Sequence, residues 1–220
     1  MLYIVSTPIG NLEDVTLRAL RTLKEADYIT AEDTRHTQKL LQKYEIKTPT
    51  LSFHSYSSQT KLEKIVSLLK EGKEVALVSD AGTPGISDPA YALIRRAIEE
   101  NVRVVPIPGA SSLLAAIVIS GLPMDKFVYL GFLPLKKGRQ TLLTSLQTEP
   151  RTLVIFESPH RILRTLESLK EYLGDRDIAV CRELTKIYEE ALRMPISKAI
   201  EHFKNKSPKG EFVLVVKGSR

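Results

Sequence analysis

The run Ser79-Asp80-Ala81-Gly82-Thr83-Pro84-Gly85-Ile86-Ser87-Asp88-Pro89 concentrates glycine, proline and small polar residues, a composition that lets a backbone approach a ligand without side chains intervening. Asp88 followed by Pro89 reads as a helix cap. The residues before it exceed the roughly 2–6 that an ordinary strand-to-helix connection uses, and the surplus points to binding. A second cluster, Pro108-Gly109-Ala110-Ser111-Ser112, delivers serines to a helix start, where backbone N–H groups and hydroxyls either cap the helix or hold a carboxylate or phosphate. Neither a GxGxxG nor a Walker sequence occurs, so a dinucleotide or ATP site is disfavoured. The four histidines show no metal-ligand spacing. Cys181 sits in an apolar run as an inert thiol, and Glu157-Ser158-Pro159 lacks the Gly-x-Ser-x-Gly elbow of a hydrolase.

These clusters must be positioned by something, and the surrounding pattern is a βαβ rhythm. Short β-branched runs at residues 2–6, 28–31, 50–53, 74–78 and 103–106 read as strands. Residues 16–26 place Leu17, Leu20 and Leu23 on one helical face, and residues 61–69 do likewise with Leu62, Ile65, Val66 and Leu69. Such crossovers imply a mostly parallel sheet. Residues 112–120 read as an apolar helix, and Gly121-Leu122-Pro123 then breaks the pattern. The expected division is therefore 1–120, an α/β domain with the main cofactor and substrate loops, and 121–220, a second α/β domain that completes the site and carries a basic surface. Strands are expected in the second domain at 127–131, 152–156, 178–182, 190–194 and 211–216, with helices near 140–147, 162–173 and 197–203. The shorter spacing toward the C-terminus implies that part of this sheet is antiparallel. Each cluster of unusual residues follows a strand, and ligands of open α/β sheets bind beyond the carboxyl ends of strands.

One cysteine in 220 residues allows neither an intramolecular disulfide nor a multi-thiolate zinc site. The N-terminus lacks a signal-peptide pattern, and no apolar run approaches the ~20 residues of a membrane span; both suit the cytoplasm. The net charge of +6 is uneven, because residues 1–120 carry 14 Lys+Arg against 14 Asp+Glu and residues 121–220 carry 18 against 12. A basic second half suits a polyanionic partner.

Taken in order, the loops resemble the tetrapyrrole methylase superfamily, and within it the branch that acts on small-subunit ribosomal RNA. The resemblance is carried by Thr7-Pro8-Ile9-Gly10-Asn11-Leu12, Glu32-Asp33-Thr34-Arg35, residues 79–89 and 108–112, Gly131-Phe132-Leu133-Pro134, Glu157-Ser158-Pro159-His160-Arg161, residues 182–186 with Glu189-Glu190, and Gly210-Glu211-Phe212. It spans nearly the whole chain. It implies two α/β domains with a mostly parallel N-terminal sheet, a mixed C-terminal sheet and a cofactor trough between them. It further implies a homodimer, S-adenosylmethionine as cofactor with no metal, and 2′-O-methylation of a cytidine ribose in the decoding region of 16S ribosomal RNA, free or in the 30S particle. Ala90 and Met194 stand where a glycine is usual. The chain stops soon after its last strand, so RNA contacts made by the C-terminal extension of longer members must be absent or replaced.

The matching loops imply that Ile9, Asp80, Thr83, Ile86, Ser111 and Ser112, with Phe156, Arg182 and Gly210 from the second domain, line the cofactor site. Lys136, Lys137 and Arg139 form a compact basic cluster suited to RNA phosphate. A sulfonium already activates its methyl group, so positioning supplies much of the rate, and a base assists the ribose hydroxyl. Asp33 is the expected proton acceptor, Arg35 the RNA clamp and Lys186 the electrostatic helper. Capping by Asp33 or Thr34 and a structural ion pair for Arg35 are the competing roles. A related methylase acting on a corrin precursor or a protein side chain, or a non-catalytic RNA-binding module, are the alternative functions.

Overall fold

A computed structural model describes residues 1–54, 59–88, 90–206 and 208–219. The chain divides into two compact units, Met1–Ser111 and Ser112–Arg220.

In the first unit five strands, β1 (Leu2–Val5), β2 (Tyr28–Ala31), β3 (Thr50–Ser52), β4 (Val75–Val78) and β5 (Val104–Ile107), form a sheet of order β3-β2-β4-β1-β5. Every pairing is parallel. Four helices cover it: α1 (Leu17–Glu25), α2 (Thr34–Lys43), α3 (Gln59–Lys70) and α4 (Ala90–Glu99). Ala19 and Leu23 of α1 and Leu40 and Leu41 of α2 pack on one face with Val5, Ile29 and Val78. Leu62, Ile65, Val66 and Leu69 of α3 and Leu93 and Ala97 of α4 pack on the other with Leu2, Val75 and Leu77. A sheet covered on both faces has no use for alternation, and all four residues of β4 are buried. The helix over residues 34–43 was not legible in advance, because Thr37, Leu40 and Leu41 are its only buried residues and its first turn is polar. Asp88 accepts from the Ala90 backbone N–H at 2.9 Å as a cap should; Pro89 lies outside the described residues.

The order of the strands decides where a ligand can sit. From β1 the chain crosses to β2 through α1 on one face, while from the adjacent β4 it crosses to β5 through α4 on the opposite face. Neighbouring strands whose connections depart in opposite directions leave a crevice beyond their carboxyl ends.

The second unit contains α5 (Ser112–Ile119), β6 (Phe127–Phe132), α6 (Arg139–Ser145), β7 (Thr152–Glu157), α7 (Ile162–Leu173), β8 (Asp177–Arg182), β9 (Glu190–Pro195), α8 (Ile196–Lys204) and β10 (Phe212–Val216). The sheet runs β6-β7-β10-β8-β9, parallel only between β6 and β7. Leu143, Leu166, Leu169 and Phe203 from α6, α7 and α8 fill one face against Leu153, Ile155, Leu214 and Val216. The division of the chain falls ahead of Gly121-Leu122-Pro123 because α5 packs against β10. The Ile119 carbonyl accepts from Arg193 Nε at 3.0 Å, and the Cys181 thiol lies 3.9 Å from the Ala116 carbonyl. Burial pushes that thiol up to about 11, which leaves it protonated and unreactive near neutral pH.

At the edge of this sheet the register slips between Tyr129 and Gly131. Tyr129 opposes Val154, Gly131 opposes Ile155 and Phe132 opposes Phe156, so Leu130 is the extra residue of a β-bulge. Gly131 has φ 61°, a conformation that glycine adopts without steric cost. Strand side chains alternate with period two, so one inserted residue moves everything after it to the opposite face. Without the bulge Phe132 would share the helix-covered face with Val128 and Leu130; with it, Phe132 joins Tyr129 and Phe156.

Candidate active site

Four loops of the first unit are fastened to one another. Thr7 and Gly82 exchange backbone hydrogen bonds, Thr7 N to Gly82 O at 2.9 Å and Gly82 N to Thr7 O at 3.1 Å. The Ser6 and Thr83 hydroxyls lie 2.8 Å apart, and Thr7 Oγ1 donates to Ser79 O at 3.2 Å. These bonds join the loops after β1 and β4. The loop after β2 is tied to the same set, since Asp33 N donates to Asp80 Oδ1 at 3.0 Å. The loop after β5 closes on β1: Ser6 N donates to Ile107 O at 3.1 Å, and a Cβ built on Gly109 would stand 2.9 Å from Ser6 Cβ. Ile9, Asp80 and Thr83 therefore belong to one connected assembly. Ile9 is buried, whereas Ile86 is exposed. Ser111 and Ser112 end the loop after β5, with Ser112 opening α5.

The close approach at Gly109 makes a direct prediction. Gly109→Ala forces backbone against Ser6, and overpacking of this kind costs about 1–3 kcal/mol. A lowered urea midpoint with an unchanged slope checks it.

Asp33 caps α2, accepting from Arg35 N at 2.9 Å. It also takes the Arg35 guanidinium, Nε at 3.1 Å and Nη2 at 2.7 Å. The hydrogen bonds from Arg35 hold its carboxyl well below the usual carboxylate range, which makes it a weak proton acceptor. Arg35 is 90% exposed at the side chain. Glu32, one residue earlier, behaves oppositely. Partial burial, followed by the charges of Asp80, Asp88 and Asp33, raises its proton affinity, and among the described residues no cation pairs with it. The motif held Glu32 in plain view, but Asp80 and Asp88 are distant in sequence and only the fold brings their charge to bear.

In the second unit Phe156 is the penultimate residue of β7, Arg182 closes β8, and Gly210 lies two residues before β10. Phe212 opposes both Glu157 and Arg182, so all three residues gather at one end of the sheet. Arg182 Nε is buried without a hydrogen-bond partner among the described residues; Glu190 Oε2 stands 3.5 Å away. Beyond β8, Glu183 (φ 50°) and Thr185 (φ 66°) adopt left-handed backbone, costing of order 1–3 kcal/mol each at non-glycine positions. This turn brings Lys186 Nζ to 2.9 Å from Glu183 Oε1 and 3.0 Å from Glu211 Oε2. Burial works against the Lys186 charge, but these two carboxylates outweigh it and raise its proton affinity.

Arg139 does not stand beside Lys136 and Lys137 as the phosphate contact that the sequence leads one to expect: it is 8% exposed and donates inward, to Pro134 O at 3.2 Å and Thr165 Oγ1 at 3.0 Å. Only Lys136 and Lys137 of the three face solvent. The buried carboxylate of Glu157, which the motif contained but whose burial no local pattern announced, draws Arg139 in through Thr165. Among the described residues, no three or more His, Cys, Asp or Glu side chains gather as metal ligands. No helix among them is long and apolar enough to cross a membrane.

Residues 1–200 match the family of tetrapyrrole (corrin/porphyrin) methylases, and the chain belongs to that family. It is 52% identical over 217 residues to the ribosomal RNA small subunit methyltransferase I of Thermotoga maritima, covering 99% of this chain and 98% of the relative. The Bacillus subtilis enzyme of the same name is 48% identical, covering 100% and 75%. Among solved structures, diphthine synthase superposes with a TM-score of 0.74 at 17% identity, covering 99% of this chain and 89% of that one. A cobalt precorrin-4 methyltransferase of cobalamin biosynthesis superposes at 0.72 and 17%, covering 98% and 94%; these two likenesses concern the fold.

Proposed function

We propose that this chain transfers a methyl group from S-adenosylmethionine to small-subunit ribosomal RNA, at the ribose 2′-hydroxyl of a cytidine in the decoding region. The observation that carries the reading is the 52% identity to a relative of that name across 99% of this chain and 98% of the relative. The residues fit the cofactor. Loops after β1, β4 and β5 offer a backbone-lined cradle at a strand switch point, with Gly109 too close to Ser6 for any side chain. Arg182 Nε, buried and without a hydrogen bond among the described residues although Glu190 lies 3.5 Å away, supplies a donor in the second unit. The resemblance assigns Ile9, Asp80, Thr83, Ile86, Ser111 and Ser112 to the cofactor, and likewise Phe156, Arg182 and Gly210. The cofactor supplies a sulfonium-activated methyl group.

The chain's own residues do the rest. Arg35, long and exposed, holds an RNA phosphate as a charge-assisted donor. Of the two carboxylates ahead of it, Glu32 is the better acceptor for the hydroxyl proton, because Asp33 is already engaged by Arg35. Lys186, kept cationic by Glu183 and Glu211, offsets negative charge developing on the attacking oxygen. Lys136 and Lys137 meet phosphate at the entrance of the second unit. The working form is a cytosolic homodimer, the arrangement that the resemblance implies.

The test is transfer of a labelled methyl group to purified, unmethylated 30S particles, with the product nucleotide mapped. A 2′-O-methylcytidine in the decoding region is expected. Label on a base, or transfer only to a corrin precursor or to protein, overturns the substrate assignment. Absence of calorimetric heat with S-adenosylmethionine overturns the enzyme reading altogether.

A further inference from the structure

Phe132 closes the edge strand β6 and is 52% exposed, although an aromatic ring at a strand end beside a packed core could be buried at a gain of about 1.5–3 kcal/mol. It is exposed by construction. The bulge at Leu130 and Gly131 turns it away from the helix-covered face, where Leu133, the next residue, is buried. Its ring is then held in a T-shaped contact with Phe156, with centroids 5.9 Å apart, and Phe156 makes a second T-shaped contact with Tyr129 at 5.2 Å.

The chain beyond Phe132 is held just as firmly. Arg161 donates to Leu133 O and Arg139 to Pro134 O. Both guanidiniums are drawn inward by the fully buried carboxylate of Glu157, Arg161 directly at 3.2 Å and Arg139 through the Thr165 hydroxyl. A buried charge network of this kind is costly to assemble, and these two of its donor groups grip the carbonyls of the segment that carries Phe132, Leu135, Lys136 and Lys137. Leu135 is 61% exposed, and both lysines face solvent.

We propose that Phe132, flanked by Leu135, is a stacking platform for the base of an unpaired RNA nucleotide, with Lys136 and Lys137 holding its phosphates. The chemistry selects this partner. An exposed ring face accepts any base, and adjacent ammonium groups supply the sequence-independent phosphate attraction, the combination by which single strands are bound. A second copy of the chain seated on the ring would instead show as a loss of mass in sedimentation when Phe132 is replaced. The inference rests on the ribosomal RNA reading and deepens it: the nucleotide held on Phe132 would be unstacked from its neighbours.

The test compares Phe132→Leu, which keeps apolar bulk without a π-face, with Phe132→Tyr, which keeps the face. Affinity is measured for a single-stranded RNA oligonucleotide of decoding-region sequence across a salt series, while methyl transfer to 30S particles is measured separately. Phe132→Leu should weaken RNA binding by roughly 5- to 150-fold with an unchanged salt slope, and Phe132→Tyr should restore it. Lys136→Ala and Lys137→Ala should each flatten the slope by ~0.7. Affinity for S-adenosylmethionine and mass in sedimentation should be unaltered by Phe132→Leu. Unchanged RNA affinity in Phe132→Leu, failure of Phe132→Tyr to rescue, loss of cofactor affinity, or dissociation of an assembly each overturns the platform. A parent chain that binds the oligonucleotide through Phe132 yet transfers no methyl group supports the platform and sinks the methylation reading instead.

Discussion

Glu32→Gln is expected to lower single-turnover methyl transfer to 30S particles by about 10²–10⁴-fold, the usual contribution of a positioned general base, while leaving affinity for S-adenosylmethionine intact. A ribose hydroxyl attacks poorly while protonated, and the acceptor that helps it must hold a proton more tightly than an ordinary carboxylate does. Glu32 meets this condition because burial and the facing charges of Asp80, Asp88 and Asp33 raise its proton affinity. Asp33 does not, because its hydrogen bonds from Arg35 lower it. Asp33→Asn should accordingly produce a smaller loss, acting through a loosened Arg35.

The pH dependence has a definite sign. The folded protein holds a proton on Glu32 above the ordinary value of 4.5, so the rate should fall on the acid side of that raised value. Stability runs the other way. In the window between the unfolded and the raised folded value the native state binds more protons, so the contribution of Glu32 to stability diminishes as pH rises through that window. Glu32→Gln should thus be neutral or stabilising at neutral pH despite the lost rate. An unchanged single-turnover rate with chemistry limiting, or a loss explained by unfolding in a urea titration, removes Glu32 as the acceptor.

The second large effect is structural. Glu157→Ala should destabilise the second unit by about 3–5 kcal/mol, the range seen when one member of a buried ionic group is removed. The Glu157 side chain is 0% exposed and accepts from Ser158 N at 2.8 Å, from the Thr165 hydroxyl and from Arg161. Its removal leaves Arg139 and Arg161 buried or half-buried without a counter-charge. Arg139 already has its proton affinity lowered by burial and by the neighbouring Arg161 and Arg164, with Glu157 the group that opposes this. Thr165→Val, which breaks the link from Arg139 to Glu157 while keeping shape, should cost less. The measurement is urea unfolding followed by a probe in the second unit. A loss under about 1 kcal/mol, no more than a surface ion pair contributes, would show that the charges are individually solvated rather than mutually compensated.

Local pattern carried the secondary structure far. The runs beginning at Leu2, Tyr28, Thr50, Phe127 and Thr152 are strands as read, because short apolar, β-branched segments bounded by polar or turn-forming residues have few other uses. The antiparallel pairing of β8 with β9 followed from their short connection, whereas that of β10 with β8 and β7 is set by the fold. The helix at residues 34–43 escaped notice because its buried stripe is only three residues. The loops that matter were legible as loops, since glycine and proline announce themselves and strand ends locate them.

What the amino-acid sequence determined by itself was local and compositional: alternating elements, the glycine- and proline-rich loops, a basic second half and a motif order that marks the family. Tertiary structure decided whatever depends on neighbours remote in sequence. The proton affinity of Glu32 is governed in part by Asp80 and Asp88, the inward turn of Arg139 by Glu157 and Thr165, and the outward turn of Phe132 by one bulged residue in the pairing of β6 with β7. Charge and solvation act through space rather than along the chain, and a strand's facing depends on the register of its partner, so none of the three could be read before the fold existed.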